Sequence, residues 1–132
     1  MADDRLRINR ATWTRANERY TDAHAARAWE ASEITWGVWG TPERSLNVLP
    51  DVAGKDVVEL GCGTAYFGSW LKRRGARRVV GIDITPAQLT TARRLNEQSH
   101  LGLELIEADA ERVPLGDGSF EVAVSEYGAS IW

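Results

Sequence analysis

The sequence VVELGCGTA at residues 57–65 decides the fold of this chain. Its first four residues, Val57–Leu60, predict a buried strand, and the glycine-rich turn that follows opens into a helix. A second apolar run, Arg78–Ile82, ends at the acid Asp83. A strand, a glycine turn and an acid about 20 residues later form the frame that holds a nucleoside cofactor. Glycine lets the backbone approach the ligand because it has no Cβ, and the acid accepts hydrogen bonds from ribose hydroxyls.

Two residues of this frame distinguish between cofactors. A dinucleotide fingerprint needs a third glycine at position 66, which lets the helix close over a pyrophosphate, and this chain has Tyr66 there. Glu59, two residues before the first glycine, would repel a pyrophosphate but suits an ammonium and a sulfonium. The pattern favours S-adenosylmethionine, and an NAD oxidoreductase stays an alternative that tight NADH binding would revive.

The segment Glu59–Ala65 closely resembles the first motif of class I S-adenosylmethionine-dependent methyltransferases, which reads acid-x-Gly-x-Gly-x-Gly. Ala65 stands where that motif has its third glycine. The run from Asp109 to Ser125 is similar to the adenine-binding and fourth-strand motifs of the same family. The resemblance extends over about residues 57–132 and is strongest to the small-molecule branch, which includes quinone-type methyltransferases.

This resemblance implies a set of residues that bind S-adenosylmethionine, with S-adenosylhomocysteine as the product. Asp83 would hold the ribose. Asp109, at the end of a predicted third strand, would bind the adenine amino group, and the Ala110 backbone would bind the ring nitrogens. Ser125 would border the methionine end. The full predicted set is Glu59, Gly61, Cys62, Gly63, Asp83, Ile84, Asp109, Ala110, Ser125, Tyr20 and Trp36.

Trp36 and Trp39 lie in a loop around Gly37, just before the predicted cofactor segment. Aromatic faces stabilise cations, and a sulfonium is a cation. Two interpretations stay open. These tryptophans form a lid over the cofactor together with Tyr20, or they pack the N-terminal helices onto the sheet.

The alternation of strands and helices predicts an α/β fold, with a Rossmann-like parallel sheet, helices on both faces and right-handed crossovers. We expect helices over about 65–74 and 86–99, the second with Thr85 as its N-cap. Residues 1–50 form an N-terminal helical cap in this interpretation. Residues 51–132 form a half domain that binds S-adenosylmethionine.

The sheet implied by the resemblance is incomplete in this chain. The family has seven strands in the order 3-2-1-4-5-7-6 and needs on the order of 200 residues, whereas this sequence has 132. Its fourth strand would be an apolar edge at Val122–Val124, which invites pairing with another chain. We expect the cofactor-binding half of a longer, truncated enzyme, or a homo-oligomer, so that a missing C-terminal segment or a second copy covers this edge.

Composition excludes several classes of protein. The chain is 43% hydrophobic and 27% charged, as is ordinary for a soluble domain. Its net charge of −3 gives no bulk reason to bind nucleic acid or a membrane. One cysteine fits a reducing compartment, and the sequence has neither a membrane-spanning apolar run nor a signal peptide. We therefore expect a cytoplasmic protein.

Other chemically active residues have simpler interpretations. Cys62 lacks a nearby His or Asn partner and is interpreted as a small turn residue. His24 and His100 have no metal-ligand spacing, so no metal is expected. The basic residues at 72–78 fall at the end of the sheet opposite the ligand edge and are interpreted as a solvated face. The segment Ser125–Gly128 lacks the prolines of DNA amino-methyltransferases.

The sequence predicts a methyltransferase that acts on a small-molecule acceptor. The reaction is an in-line displacement at an activated methyl carbon, so the protein positions donor and acceptor and excludes water. An acceptor of high pKa also needs a base, for which Tyr20, His24, Glu126 and Tyr127 are all available. The catalytic residues and the acceptor stay unassigned. A non-catalytic nucleotide-binding or self-associating module is the alternative.

Overall fold

The computed structural model describes residues 2–20 and 22–128. Its helices are α1 (Ala2–Ala16), α2 (Asp22–Glu30), α3 (Glu43–Leu46), α4 (Tyr66–Arg73) and α5 (Pro86–Ser99), with a 3-10 turn at Asn17–Tyr20. Its strands are β1 (Thr35–Trp36), β2 (Thr41–Pro42), β3 (Asp56–Leu60), β4 (Arg78–Asp83), β5 (Glu104–Glu107) and β6 (Val122–Val124). None of the helices within these ranges has the length and apolarity needed to cross a membrane.

The strands β5, β4, β3 and β6 form one parallel sheet in that order. Val57 pairs with Val79 on one side and with Val122 on the other. The centres of β3 and β4 are buried, as is typical of parallel strands with both faces covered. The predicted α/β class is therefore confirmed, and the sheet has the predicted order of its first four strands.

The helices that follow β3 and β4 lie on one face of the sheet. Phe67 and Leu71 of α4 and Leu89 of α5 belong to one buried cluster with Val57 and Val79. Two right-handed crossovers that step in the same direction across a sheet place both helices on the same face. Within the described part of the chain, the structure thus differs from the expectation of helices on both faces.

The opposite face is covered by the connection from β5 back to β6. Val113, Leu115 and Phe120 of this connection pack around Val80 and Ile82. The chain reverses its direction across the sheet here, so the connection crosses the other face. The reversal makes β3 and β6 neighbours, and open α/β sheets bind ligands at such a switch point, beyond the carboxyl ends of the strands.

The segment before the sheet packs on the helical face. Trp29 of α2 is 2% exposed, and its Nε1 donates a hydrogen bond of 2.7 Å to the carbonyl oxygen of Thr64 in the glycine-rich turn. Trp70 of α4 donates from Nε1 to the carbonyl oxygen of Ala28 at 2.9 Å. These two tryptophans fix α2 to α4 and to the turn.

Replacing Trp29 with phenylalanine is expected to lower the free energy of unfolding by about 1–3 kcal/mol, because the buried carbonyl of Thr64 loses its donor. Trp39→Phe is the matched control, since Trp39 is 90% exposed. The control should change stability by no more than about 0.5 kcal/mol. Urea unfolding followed by circular dichroism measures both variants, and equal stabilities would contradict the packing described for Trp29.

A hairpin of two short antiparallel strands, β1 and β2, lies in the stretch predicted as a loop. Its turn has Gly37 and Gly40 at φ 66° and 59°, a region that glycine enters readily. The buried carboxylate of Glu43 anchors the base of the hairpin. Its Oε2 accepts a hydrogen bond of 2.5 Å from Trp36 Nε1, and its Oε1 accepts one of 2.7 Å from the Leu49 amide.

The basic residues near the start of β4 lie at the amino end of the sheet, as predicted. Arg77 Nε lies 2.8 Å from Asp56 Oδ1, and Arg78 pairs with Glu104 at 2.7 Å. Lys72 Nζ donates a hydrogen bond of 2.6 Å to the carbonyl oxygen of Arg77. These cations are paired within the fold, on the side away from the glycine-rich turn.

Within the described residues, β6 forms one edge of the sheet. Val122 is buried, Ala123 is exposed and Val124 is half-buried. The unpaired backbone of such an edge offers hydrogen-bond groups to another strand. The predicted edge position of the fourth strand is therefore present in the structure.

Candidate functional site at the carboxyl ends of the strands

The glycine-rich turn between β3 and α4 is fixed to β4 through its backbone. The amides of Gly61 and Cys62 donate hydrogen bonds of 2.8 and 2.9 Å to the carbonyl oxygen of Ile82. Gly61 and Gly63 have φ 71° and 54°, a region that other residues enter at a cost of about 1–2 kcal/mol. Ala65, at the third glycine position of the motif, has φ 62° and carries that cost.

Asp83, the last residue of β4, ties the glycine-rich turn to the start of α5. Its Oδ2 accepts a hydrogen bond of 2.8 Å from the Gly63 amide, and its Oδ1 accepts one of 2.8 Å from the Thr85 amide. Thr85 occupies the N-cap position, as predicted, but its side chain makes no capping hydrogen bond. A carboxylate accepts about four hydrogen bonds, so the half-buried Asp83 retains capacity for ribose hydroxyls.

Glu59 lies inside β3, beneath α4. It is 2% exposed, and its Oε1 accepts a hydrogen bond of 3.1 Å from the Gly68 amide in the first turn of α4. Burial raises the pKa of Glu59 well above 4.5, the Gly68 bond offsets this in part, and the charges of Glu126 and Asp83 add to the rise. Glu59 therefore caps α4 from within the core. The sequence places it at the strand end as a cofactor contact, and that contact stays a prediction.

The segment after β6 closes against the end of β3. Ser125 Oγ donates a hydrogen bond of 2.9 Å to the carbonyl oxygen of Leu60. A Cβ built on Gly128 would lie 2.3 Å from the same oxygen, so this conformation accommodates only glycine at position 128. Ser125, predicted to border the methionine end of the cofactor, thus stands at the switch point between β3 and β6.

Glu126 joins two other segments to this point. It is 9% exposed, its Oε1 accepts a hydrogen bond of 3.1 Å from the Gly37 amide, and its Oε2 accepts one of 2.5 Å from the Tyr66 hydroxyl. Burial raises the pKa of Glu126, and the two hydrogen bonds oppose that rise. Burial, followed by the Glu126 carboxylate, raises the pKa of Tyr66. The phenol therefore keeps its proton and remains the donor.

Asp109 and Ala110 lie half-buried in the turn after β5. The sequence predicts a strand that ends at Asp109, but β5 ends two residues earlier. The reason is local: Asp109 Oδ1 accepts a hydrogen bond of 3.0 Å from the Glu111 amide, which bends the chain into a turn. The Ala108 amide donates to the carbonyl oxygen of Asp83 at 3.0 Å, so this turn stays beside the end of β4.

Helix α1 reaches the ends of β4 and β5 through Arg10. The Arg10 Nε donates a hydrogen bond of 2.9 Å to the carbonyl oxygen of Ile84, and its guanidinium pairs with Glu107. Ile84, predicted as a cofactor contact, is half-buried. The side chain of Tyr20 lies outside the described part of the chain, so its predicted role over the cofactor is not placed.

Two further predicted site residues, Cys62 and Trp36, are engaged in packing. Cys62 is 3% exposed, and burial raises the pKa of its thiol well above 9.0. A neutral buried thiol is a poor nucleophile, in agreement with its interpretation as a small turn residue. The Trp36 ring lies 4.8 Å from the Phe67 ring of α4, centroid to centroid. This contact favours the packing interpretation of Trp36, and its contact with a cofactor stays a prediction.

Three carboxyl groups, those of Glu59, Asp83 and Glu126, surround the glycine-rich turn. None of the ion pairs among residues 2–20 and 22–128 involves them. Burial favours the neutral form of Glu59, whereas a carboxylate without a paired cation, such as that of Asp83, favours a cationic ligand. In the same ranges, no group of three or more His, Cys, Asp or Glu side chains is placed to hold a metal ion.

Some residues of this site lack an assigned role in the sequence-based interpretation. The sequence predicts Glu126 only as one of four possible bases and assigns nothing to Gly128 or Arg10. The signal for Glu126 is present, because it is an acid near the end of a strand, like Asp83. Arg10 has no such signal, since a contact made through tertiary packing leaves no local pattern in an exposed helix.

Comparison with known proteins places this arrangement in a family. A family model described as a methyltransferase domain matches residues 57–131. The chain is 34% identical over 83 residues to malonyl-(acyl-carrier protein) O-methyltransferase from Serratia marcescens, a match covering 63% of this chain and 31% of that protein. It is also 34% identical over 86 residues to demethylmenaquinone methyltransferase from Thermus thermophilus, covering 64% of this chain and 39% of that protein.

Solved structures give the same result. The S-adenosylmethionine-dependent methyltransferase from Mesorhizobium loti superposes with a TM-score of 0.54 at 34% sequence identity, over 62% of this chain and 36% of that chain. The matches cover about a third of the length of the two curated relatives.

Proposed function

Because the chain belongs to the methyltransferase domain family, we propose that it binds S-adenosylmethionine and takes part in the transfer of its methyl group to a small-molecule acceptor. The observation that carries this proposal is the hydrogen bond from the Gly63 amide to Asp83, at 2.8 Å. It joins a glycine-rich turn to the acid at the end of the next strand, the two features that hold a nucleoside cofactor.

The adenosine end of the cofactor is assigned to the ends of β4 and β5. Asp83 accepts the ribose hydroxyls, with Ile84 beside it, and Asp109 and the Ala110 backbone bind adenine. The half-buried state of these four residues supports the assignment, because each is partly accessible to a ligand. The bond from the Ala108 amide to the Asp83 carbonyl keeps the two subsites adjacent.

The methionine end of the cofactor is assigned to the turn at Gly61–Gly63 and to Ser125. The carboxylate of Asp83 supports this placement, because it accepts a hydrogen bond from Gly63 of this turn, is not paired with a cation among the described ion pairs, and would face a ligand whose ammonium and sulfonium are both cations. When bound, S-adenosylmethionine supplies a methyl group that its sulfonium already activates. The residues of this chain bind and orient the cofactor and exclude water.

The same proposal divides the chain into two parts. Residues 51–132 provide the cofactor site, and residues 1–50 cover it, which the hydrogen bonds of Trp29 to the turn and of Arg10 to Ile84 support. We assign a small molecule as the acceptor because one relative, the demethylmenaquinone methyltransferase from Thermus thermophilus, is named for a small-molecule acceptor. The open edge of β6 is assigned to a further segment of the protein or to a second copy.

Isothermal titration calorimetry with S-adenosylhomocysteine tests the proposal. We expect a dissociation constant in the micromolar range, about −8 kcal/mol of binding free energy, and no heat from NADH at the same concentrations. Tight NADH binding would favour an oxidoreductase. A third outcome is possible when a further segment of the protein or a second copy covers the β6 edge. If the protein then binds S-adenosylhomocysteine but transfers a methyl group to none of the acceptors screened, the result would favour a non-catalytic module.

A further inference from the structure

Glu126 bridges two parts of the chain that are far apart in sequence. One carboxylate oxygen accepts from the Gly37 amide at the turn of the β1–β2 hairpin, and the other accepts from the hydroxyl of Tyr66, the first residue of α4. Glu126 follows β6 by two residues, and Gly128 holds that segment against the end of β3. The hairpin, α4 and β6 therefore meet at a single side chain beside the glycine-rich turn.

We propose that Glu126 is a positioning residue that holds the β1–β2 hairpin closed over the methionine end of the cofactor site. This role rests on the proposed function, because it assumes that a cofactor binds there. The hydrogen bonds of Glu126 to Gly37 and Tyr66 do not depend on a ligand. A closed hairpin keeps water from the sulfonium and fixes the side from which an acceptor approaches.

The contacts of the hairpin explain why its turn depends on Glu126. The base is anchored separately, by Glu43 to Trp36 and Leu49. The turn projects Val38 and Trp39, which are 71% and 90% exposed, so their side chains add little burial to hold it. Hydrogen bonds to a carboxylate are stronger than those between neutral groups, and the Gly37 bond supplies one at the turn.

A charge effect is the competing role for Glu126. Its carboxylate would then attract the sulfonium directly, and the hairpin contact would be incidental. Glutamine separates the two roles, because its amide oxygen accepts from the Gly37 amide and its NH₂ donates to the Tyr66 oxygen. Glu126→Gln keeps both hydrogen bonds and removes the charge, whereas Glu126→Ala removes both the bonds and the charge.

Hydrogen exchange measured by mass spectrometry on the ligand-free protein tests the hairpin contact. Glu126→Ala is expected to speed amide exchange over residues 35–42 by about tenfold or more, as for the loss of a hydrogen bond to a charged group. Glu126→Gln should change it less than about threefold. Glu121→Ala is the matched control, because Glu121 also accepts a backbone amide hydrogen bond, from Asp56, at the other end of the sheet. Unchanged exchange in Glu126→Ala would overturn the proposal.

Affinities for S-adenosylmethionine and S-adenosylhomocysteine separate positioning from charge. In Glu126→Ala both affinities should fall by the same factor, and Glu126→Gln should restore both. If Glu126→Gln lowers the affinity for S-adenosylmethionine, which carries the sulfonium, but not the affinity for S-adenosylhomocysteine, the proposal is overturned in favour of the charge role. If Glu126→Ala fails to fold, Tyr66→Phe replaces it. This variant removes the hydrogen bond from the Tyr66 hydroxyl to Glu126 but keeps the one from the Gly37 amide, and the same exchange rates and affinities are measured. Should the wild type bind neither ligand, the proposed function fails, while the exchange result still decides the hairpin contact.

Discussion

Replacing Asp83 with alanine is expected to lower the affinity for S-adenosylhomocysteine by about 100-fold or more, equivalent to about 2.8 kcal/mol. Two ribose hydroxyls lose a charged acceptor, and hydrogen bonds to charged groups contribute about 1.5–3 kcal/mol each. The glycine-rich turn also loses one of its ties to β4, because Asp83 Oδ2 accepts a hydrogen bond of 2.8 Å from the Gly63 amide. Both effects weaken the binding of S-adenosylhomocysteine, so calorimetry should detect little or no heat.

Asp51→Ala is the matched control for this substitution. Asp51 Oδ1 accepts a hydrogen bond of 3.0 Å from the Ala53 amide, the same two-residue pattern that joins Asp83 to Thr85. It precedes β3 and therefore lies at the amino end of the sheet, away from the site. Asp51→Ala should bind like the wild type. Retention of full affinity by a folded Asp83→Ala protein would contradict the assignment of the ribose to this carboxylate.

Replacing Glu59 with alanine is expected to lower the free energy of unfolding by about 2–4 kcal/mol, because a helix cap is lost and a cavity remains. Glu59 is 2% exposed, and its Oε1 is the acceptor for the Gly68 amide of α4. Glu59→Gln is the informative partner, since its amide oxygen keeps the cap and its volume fills the same space. Urea unfolding of the three proteins measures the difference.

The pH dependence of stability isolates the buried carboxyl group. The pKa of Glu59 is raised in the folded state above its ordinary value of 4.5. The native state then binds more protons than the unfolded state, so the wild type loses stability as pH rises from about 4.5 through the native pKa. Glu59→Gln lacks this group, and its stability relative to the wild type should grow as pH rises above 4.5 toward the native pKa. A relative stability that stays constant over that range would contradict a protonated, buried Glu59.

The strands and helices after residue 55 could be predicted because they carry local signals. The apolar runs of β3 and β4 and the glycine-rich turn between them each occupy a few consecutive residues, and the acid after β4 is adjacent to its strand. The parallel orientation of the strands followed from the alternation of strand and helix, whereas their order was implied by the resemblance to the methyltransferase family. The handedness of crossovers places α4 and α5 on one face, a consequence that the expectation of helices on both faces overlooked.

The position of Glu59 shows why a motif does not fix the environment of its side chain. Alternation along a strand puts Val57 and Glu59 on the same face, the one that α4 covers. The acid of the motif is therefore enclosed in this structure, and its pairing with the Gly68 amide depends on how closely α4 approaches. Gly68 permits that approach, since a Cβ there would be 3.1 Å from Glu59 Oε1.

The β1–β2 hairpin and its contact with Glu126 could not be predicted from local sequence. Strands of two residues have no periodicity to detect, and Gly37 and Gly40 indicate only a turn. The partner of Gly37 is 89 residues away along the chain, so the contact exists only once the sheet has brought β6 beside β3. Tertiary packing, rather than propensity, determines this part of the site.

A crystal structure of the protein with S-adenosylhomocysteine tests the central claim most directly. We predict that the ribose hydroxyls lie within hydrogen-bond distance of Asp83, and that the sulfur lies above the turn at Gly61–Gly63, between the ends of β3 and β6. A ligand bound elsewhere on the protein, with the glycine-rich turn and Asp83 free of it, would contradict the account.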